Sequence, residues 1–216
     1  MTEQQNSLTK ANLKTPRVAA YAGIVFSLLF MTSLILLRLS VPADPWEEGK
    51  WLHQQWKTVG FALNLLPFAG IAFLWFLGVL RDRIGAYEDR FFATVFLGSG
   101  LLFLALLFVT SGLGGSLIMF YGPTSEKLKE SGTYQFVRVL IYHLTHVYMI
   151  RMEAMFMFCA STISIRTAIL PRWITLLGYV LGLLLLFSLK YFSWITMVFP
   201  LWIFLISLYV LLRKSN

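Results

Sequence analysis

The residues most able to do chemistry in this chain are four ionisable side chains within one apolar stretch. They are His143, His146, Arg151 and Glu153, and the segment around them reads VRVLIYHLTHVYMIRMEAMFMFCAS. Imidazole and carboxylate groups can bind protons, metal ions or a polar ligand. A charge at the centre of a bilayer costs about 2.5–3.5 kcal/mol on insertion scales, so such groups normally face protein or water. We therefore interpret this stretch as the candidate site.

The spacing of these residues predicts a polar stripe if the stretch is an α-helix. At about 100° per residue, four side chains share one face of that helix: Tyr142, His143, His146 and Glu153. Arg151 falls on nearly the opposite side and is two residues from Glu153, so the two cannot pair directly. We expect the guanidinium of Arg151 to contact a neighbouring helix or subunit.

Small and polar residues on two other predicted helices are expected at the same depth. Asn64 precedes Pro67 by about one turn on the second predicted helix, and the third carries a run of such residues: Thr110, Ser111, Gly112, Gly114, Gly115 and Ser116. With the stripe, they suggest a polar cavity that opens to the outside. The alternative is tight packing of small residues around a hydrogen-bonded polar core that needs no ligand.

Three chemistries can be compared for the stripe. A metal site needs three or four ligands. His143 and His146 supply two, and Glu153 lies too far along the helix to bind the same ion. These two histidines are the only metal candidates, so no metal site is predicted. Haem would need a ligand from an opposing helix, and no other predicted span contains a histidine. A proton or ion path along the stripe is the third chemistry, and the aliphatic fifth helix favours a dead-end pocket over a pore. The cofactor, if any, stays unknown.

The composition of the chain indicates which secondary structure must position the candidate site residues. Of 216 residues, 58% are hydrophobic and 13% are charged, which is typical of an integral membrane protein. We predict an all-α, polytopic transmembrane bundle, a single membrane domain at residues 18–212 with tails at 1–17 and 213–216. Six spanning helices are expected, at residues 18–38, 58–80, 91–120, 136–165, 173–189 and 191–212.

Basic residues predict the orientation of these spans. With both termini in the cytoplasm, the inner segments hold more lysine and arginine residues than the outer segments, as the positive-inside rule requires. The net charge of +8 is therefore assigned to membrane orientation, and no nucleic-acid partner is expected. The outer loop at residues 42–57 contains Trp46, Trp51 and Trp56, which predicts a short helix at the membrane interface.

One segment resembles a known group of proteins. The run DRIGAYEDRFFATVFLGSGLLFLA is similar to stretches in uncharacterised bacterial six-helix inner-membrane proteins, and the similarity is confined to the second and third predicted helices and their loop. The resemblance implies a multi-pass protein of the bacterial inner membrane and carries no assigned chemistry.

The function predicted from the residues is the binding of a small ligand or ion from the outer side, at a buried site on the fourth predicted helix. Two alternatives stay open. The protein is an accessory or assembly subunit of a larger membrane complex, with a membrane subunit or further copies of itself as partners, or it is a membrane-embedded haem or metal enzyme. The motifs of nucleotide-binding proteins and common hydrolases are missing from the sequence, so the interpretation leans away from an enzyme without deciding the question.

Overall fold

The fold is a helical bundle, seen in a computed structural model that describes residues 2–47, 49, 51–84, 90–121, 132–167, 170–187 and 194–212. Side chains are described within these ranges from residue 17 onward, except for residues 82–84 and 90. No strand occurs within the described ranges. The predicted loop at 122–131, most of the charged turn at 81–90 and the tail at 213–216 lie outside them.

The described ranges contain six helical rods in succession. The helices are α1 (Thr2–Ser40), α2 (Trp51–Ile84), α3 (Arg90–Tyr121), α4 (Thr133–His143), α5 (Ile150–Thr167), α6 (Arg172–Phe187) and α7 (Val198–Leu212). A π-helix (Leu144–Met149) joins α4 to α5 into one rod, and a 3-10 helix (Ile195–Met197) leads into α7. We call the end of the bundle that carries Ser40, Trp51, Tyr121 and Thr133 the cavity end.

Within the part of the chain that the structure describes, four helical segments are long and apolar enough to cross a membrane. They are Arg17–Ser40, Trp51–Arg81, Phe91–Tyr121 and Ile195–Leu212. The large apolar side chains exposed along them, such as Phe68 and Leu102, are suited to contact with lipid, as in a membrane-embedded protein. α1 begins at Thr2, so its first turns cover the stretch that the sequence analysis assigned to a tail.

The segment predicted as an interfacial helix is organised differently. Residues from Trp51 onward form the first turns of α2 itself, and the Trp51 side chain is buried while Trp46 and Trp56 are exposed. The Trp51 indole donates a hydrogen bond to the hydroxyl of Tyr134 at 3.0 Å. A partner on α4 therefore draws the central tryptophan into the bundle, which composition alone does not reveal.

An aromatic cluster holds the bundle together at its centre. The ring of Phe73 on α2 lies against rings from four other helices: Phe26 at 4.9 Å, Phe103 at 5.1 Å, Phe156 at 5.4 Å and Phe199 at 5.8 Å between centroids. These separations suit favourable tilted and edge-to-face pairs. One ring thus connects α2 to α1, α3, α5 and α7.

Glycines allow α6 to approach α5 closely. A Cβ atom at Gly178 would overlap the Ser161 hydroxyl and lie 2.9 Å from the Trp202 ring, and one at Gly182 would meet the Ala154 carbonyl oxygen at 3.4 Å. Small residues four apart let membrane helices pack backbone to backbone. The close packing of α6 against α5 depends on these two glycines.

We expect Phe73→Ala to lower the stability of the bundle by about 3 kcal/mol, because it removes a buried ring and leaves a cavity among four others. Thermal unfolding in detergent measures the effect. Phe68→Ala is the matched control, since Phe68 lies on the same helix with 64% of its side chain exposed. Equal effects of the two substitutions would contradict a central role for Phe73.

Candidate functional site

A π-helix interrupts the rod that carries the ionisable residues. The amide of Ile150 bonds to the carbonyl of Thr145, five residues earlier, instead of the four-residue spacing of an α-helix. The wider turn changes the angular relation between residues before Leu144 and those after Met149, so the uniform wheel assumed for this segment is wrong across it. Short π-segments inside α-helices often occur at functional sites.

A cavity of about 180 Å³, which we call the mouth chamber, lies at the cavity end between α1, α2, α3 and α4. Its walls include Leu37, Val59 and Ile141, and the exposed residues Ala43 and Trp194 lie at its rim. The polar side chains of its lining are Arg38, Arg138, Tyr142, Thr145, His146, Thr110 and Thr196, with the Trp51 indole. The chamber therefore combines apolar walls with a positively charged mouth.

Arg138 fastens the loop that follows α1 to the π-containing rod. Its Nη2 donates to the carbonyl oxygens of Pro42 and Asp44, both at 3.1 Å, and its guanidinium lies over the Trp51 ring, 5.5 Å from the centroid. The Tyr134 side chain and the carboxylates of Asp44 and Glu47 also interact electrostatically with Arg138. The Nε of Arg138 is buried without a hydrogen-bond partner in the described part of the chain.

A second cavity of about 90 Å³, the inner chamber, continues the mouth chamber toward the middle of the bundle. The two share these wall residues: Leu34, Leu37, Leu63, Thr110, Ile141, Thr145 and Thr196. Phe30, a member of the aromatic cluster, and Glu153 lie among the lining residues of the inner chamber only. The two chambers are therefore adjacent, and the inner one lies closer to the aromatic core.

Glu153 is the most unusual group of the site. Its side chain is 1% exposed, and its Oε2 has no hydrogen-bond partner among the described residues. The neighbouring hydroxyls are used elsewhere: Thr110 donates to the Leu106 and Leu107 carbonyls, and Ser111 donates to the Leu63 carbonyl at 3.3 Å. A buried carboxyl group without a partner is costly, so this atom is available to a proton or a ligand donor.

His146 and Tyr142 form a stacked pair in the mouth chamber. Their ring centroids are 4.4 Å apart with an 18° interplanar angle. The Nδ1 of His146 lies 3.2 Å from the Tyr142 carbonyl oxygen; because a carbonyl only accepts, Nδ1 carries the proton in the neutral ring and Nε2 is left as an acceptor. The pair offers both a donor and an acceptor to the chamber.

Three of the residues proposed from the sequence lie elsewhere. His143 is exposed and bonds to the Val139 carbonyl at 3.0 Å, and Asn64 is exposed on the surface of α2. Arg151 donates to the carbonyl of Val147 in its own rod at 2.6 Å, not to a neighbouring helix. The structure therefore brings Tyr142, His146 and Glu153 to the cavity and leaves these three outside it.

The run of small and polar residues at 110–116 of α3 lies partly at the chambers and partly on the surface. Thr110, Ser111 and Gly114 line the chambers, whereas Gly112 and Ser116 are exposed. Among the described residues, no group of three or more His, Cys, Asp or Glu is arranged to hold a metal ion.

Sequence reasoning missed two important members of the site, Arg38 and Trp51. Arg38 was counted only as a loop charge, although its place in the last turn of an apolar helix was a signal that it could face the bundle. No sequence signal linked Trp51 to Tyr134 across the chain. Comparisons with protein-family models, curated proteins and solved structures found no match, so the argument for a function rests on the two chambers.

Proposed function

We propose that this protein is a membrane protein that binds a small ligand in the two adjacent chambers, with Glu153 as the inner polar anchor. The observation that carries the proposal is the buried Oε2 of Glu153, which has no partner among the described residues and belongs to the wall of the inner chamber. A ligand hydroxyl or amine at this position would supply the missing hydrogen bond.

A bound ligand fits the chambers better than ion conduction. The inner chamber meets the aromatic cluster at Phe30, and the rings of Phe26, Phe103 and Phe199 continue that barrier. A cation arriving from the mouth would also pass Arg38 and Arg138, whose charges repel it. These features support a closed pocket that binds a small molecule, and they argue against a pore that conducts cations.

We expect Glu153 to react with a water-soluble carbodiimide and glycinamide, because it lines a chamber that adjoins the mouth chamber. Mass spectrometry of the protein in detergent measures the modification. Leu34→Trp should block it, since Leu34 lines both chambers. Ile35→Trp should not, since Ile35 is 41% exposed on the other face of α1.

The exposed carboxylates of Asp44 and Glu47 are the internal standards for this reaction, as they should react in every variant. Glu153→Gln should fold with unchanged or higher thermal stability, because it removes a buried ionisable group that has no described ion-pair partner. An unmodified Glu153 beside fully modified Asp44, together with a destabilised Glu153→Gln, would make Glu153 a structural residue and refute the proposal.

The proposed orientation has six spans and both termini in the cytoplasm of a bacterium, which makes the cavity end external. The four apolar segments support the spans, and the distribution of basic residues supports their orientation. The π-containing rod adds parts of 11, 6 and 18 residues, more than the roughly 20 that a span needs. α6 has 16 residues, or about 24 Å, and completes the set.

Cysteine labelling checks this orientation. Cys159 is buried and can be replaced by alanine, after which Asp44→Cys and Trp173→Cys place single exposed thiols at the two ends of the bundle. A membrane-impermeant maleimide should label Asp44→Cys in intact spheroplasts and Trp173→Cys only after permeabilisation. The reverse pattern would turn the site toward the cytoplasm.

A second candidate function, an accessory subunit of a membrane complex, is favoured by Arg151. Its guanidinium is only partly buried and its described hydrogen bond stays within its own rod. Charged groups at membrane depth usually meet protein or water. An acidic or carbonyl group on a partner helix would complete the contact.

Under this second candidate, Arg151→Leu should shift the protein to a smaller oligomer in mild detergent, while Arg151→Lys keeps the charge and the assembly. Size-exclusion chromatography with light scattering measures the mass. Tyr148→Leu is the control, since Tyr148 is 57% exposed on the same rod. An unchanged mass for Arg151→Leu would remove the support for a subunit role.

A further inference from the structure

The mouth chamber contains two arginines with unused hydrogen-bonding capacity. Arg38 has no hydrogen bond or ion pair within the described part of the chain, although it lines the chamber. Arg138 uses Nη2 for the loop carbonyls and keeps a buried, unpartnered Nε. Guanidinium groups carry five N–H donors in a planar fork that matches carboxylate and phosphate oxygens.

Among the described residues, no carboxylate is hydrogen-bonded to either arginine. Asp44 presents its carbonyl to Arg138 and uses its Oδ1 to accept the amide of Trp46 at 2.9 Å. Both Asp44 and Glu47 are exposed. Both carboxylates act on Arg138 electrostatically, so the donors of Arg38 are the ones most available to an incoming anion.

Apolar walls begin directly below this charge. Leu37, Val59 and Leu63 line the mouth chamber, and Leu34 and Leu63 continue into the inner chamber. A bare inorganic anion would leave these walls in contact with water, whereas a ligand with an apolar body covers them. The arrangement matches a molecule that is anionic at one end and apolar beyond it.

We propose that the mouth chamber binds the carboxylate or phosphate group of a single-chain amphiphile between Arg38 and Arg138, with the chain directed along the apolar walls toward Thr145. This inference rests on the proposed function, because it uses the same chambers, and it adds the charge and the chemical class of the ligand. The headgroup lies at the rim, where Tyr142 and His146 supply further polar contacts.

Photo-crosslinking tests the charge requirement. The full-length protein in nanodiscs of phosphatidylcholine is exposed to a diazirine-bearing dodecanoate or to the matching dodecanol, and crosslinked peptides are identified by mass spectrometry. Dodecanoate should react at chamber residues such as Leu37 and Ile141. Dodecanol should need about tenfold or more higher concentration, because it lacks the charge-assisted hydrogen bonds.

Arg38 provides the sharper variant, since Arg138 also fastens the loop. Arg38→Gln should weaken dodecanoate crosslinking about tenfold or more and leave dodecanol unaffected, while Arg38→Lys keeps most of the effect through its charge. Arg81→Gln is the control, because Arg81 is exposed at the other end of the bundle. Thermal unfolding of each variant separates a binding defect from misfolding.

Competition identifies the source of the anion. Dodecyl phosphate should displace the dodecanoate probe and inorganic phosphate at the same concentration should not; equal competition would overturn the amphiphile class. Competition by lysophosphatidylglycerol, which has one acyl chain, supports the inference with a membrane phospholipid as the source, and its failure to compete supports an amphiphile taken from solution.

Equal crosslinking by dodecanoate and dodecanol, or an Arg38→Gln variant that binds like the parent, would refute the inference. If the carbodiimide still modifies Glu153 in that case, the ligand-binding function stands and only the anionic class fails. If dodecanoate crosslinks at Leu37 while Glu153 stays unmodified, the anion site stands and the inner anchor fails.

Discussion

The structure depends on one aromatic contact, the meeting of five helices at the ring of Phe73. Lipid chains are as apolar as leucine, so membrane helices gain little from hiding hydrophobic surface and must pack by shape. Interlocked rings provide that shape without polar atoms. They also close the inner chamber at Phe30, so the same contact that joins the bundle defines where a cavity can and cannot exist.

The two chambers carry side chains of opposite charge type, the arginines of the mouth chamber and the carboxyl group of Glu153 in the inner chamber. The arginines at the mouth attract an anion, whereas Glu153 disfavours one unless it is protonated or hydrogen-bonded. A ligand with unlike ends satisfies both regions, since its anionic end stays with Arg38 and a donor group can reach Glu153. The hydroxyls of Thr110 and Ser111 are committed to carbonyls, so the walls between the two regions offer little polar competition.

Composition and periodicity predicted the helical bundle and the approximate helix ranges, because long apolar runs admit few other structures. The candidate site was harder to predict. The apolar stretch identified the rod with Tyr142, His146 and Glu153, but a regular wheel could not foresee a π-helix, which depends on tertiary packing. The exposure of Asn64 and His143 and the inward position of Arg38 likewise follow from how neighbouring helices turn, and this information is not local to any segment.

A π-helix is longer by about one residue per turn than the α-helix it replaces, and this gives the rod an unusual tolerance in evolution. Loss of one residue between Leu144 and Met149 could be absorbed by a return to α-helical spacing, as the flanking residues His143 and Ile150 already have α-helical dihedral angles. Such a deletion would preserve α4 and α5 but rotate His146 relative to Glu153. Related chains that differ in length here should therefore keep the same bundle and diverge in what they bind.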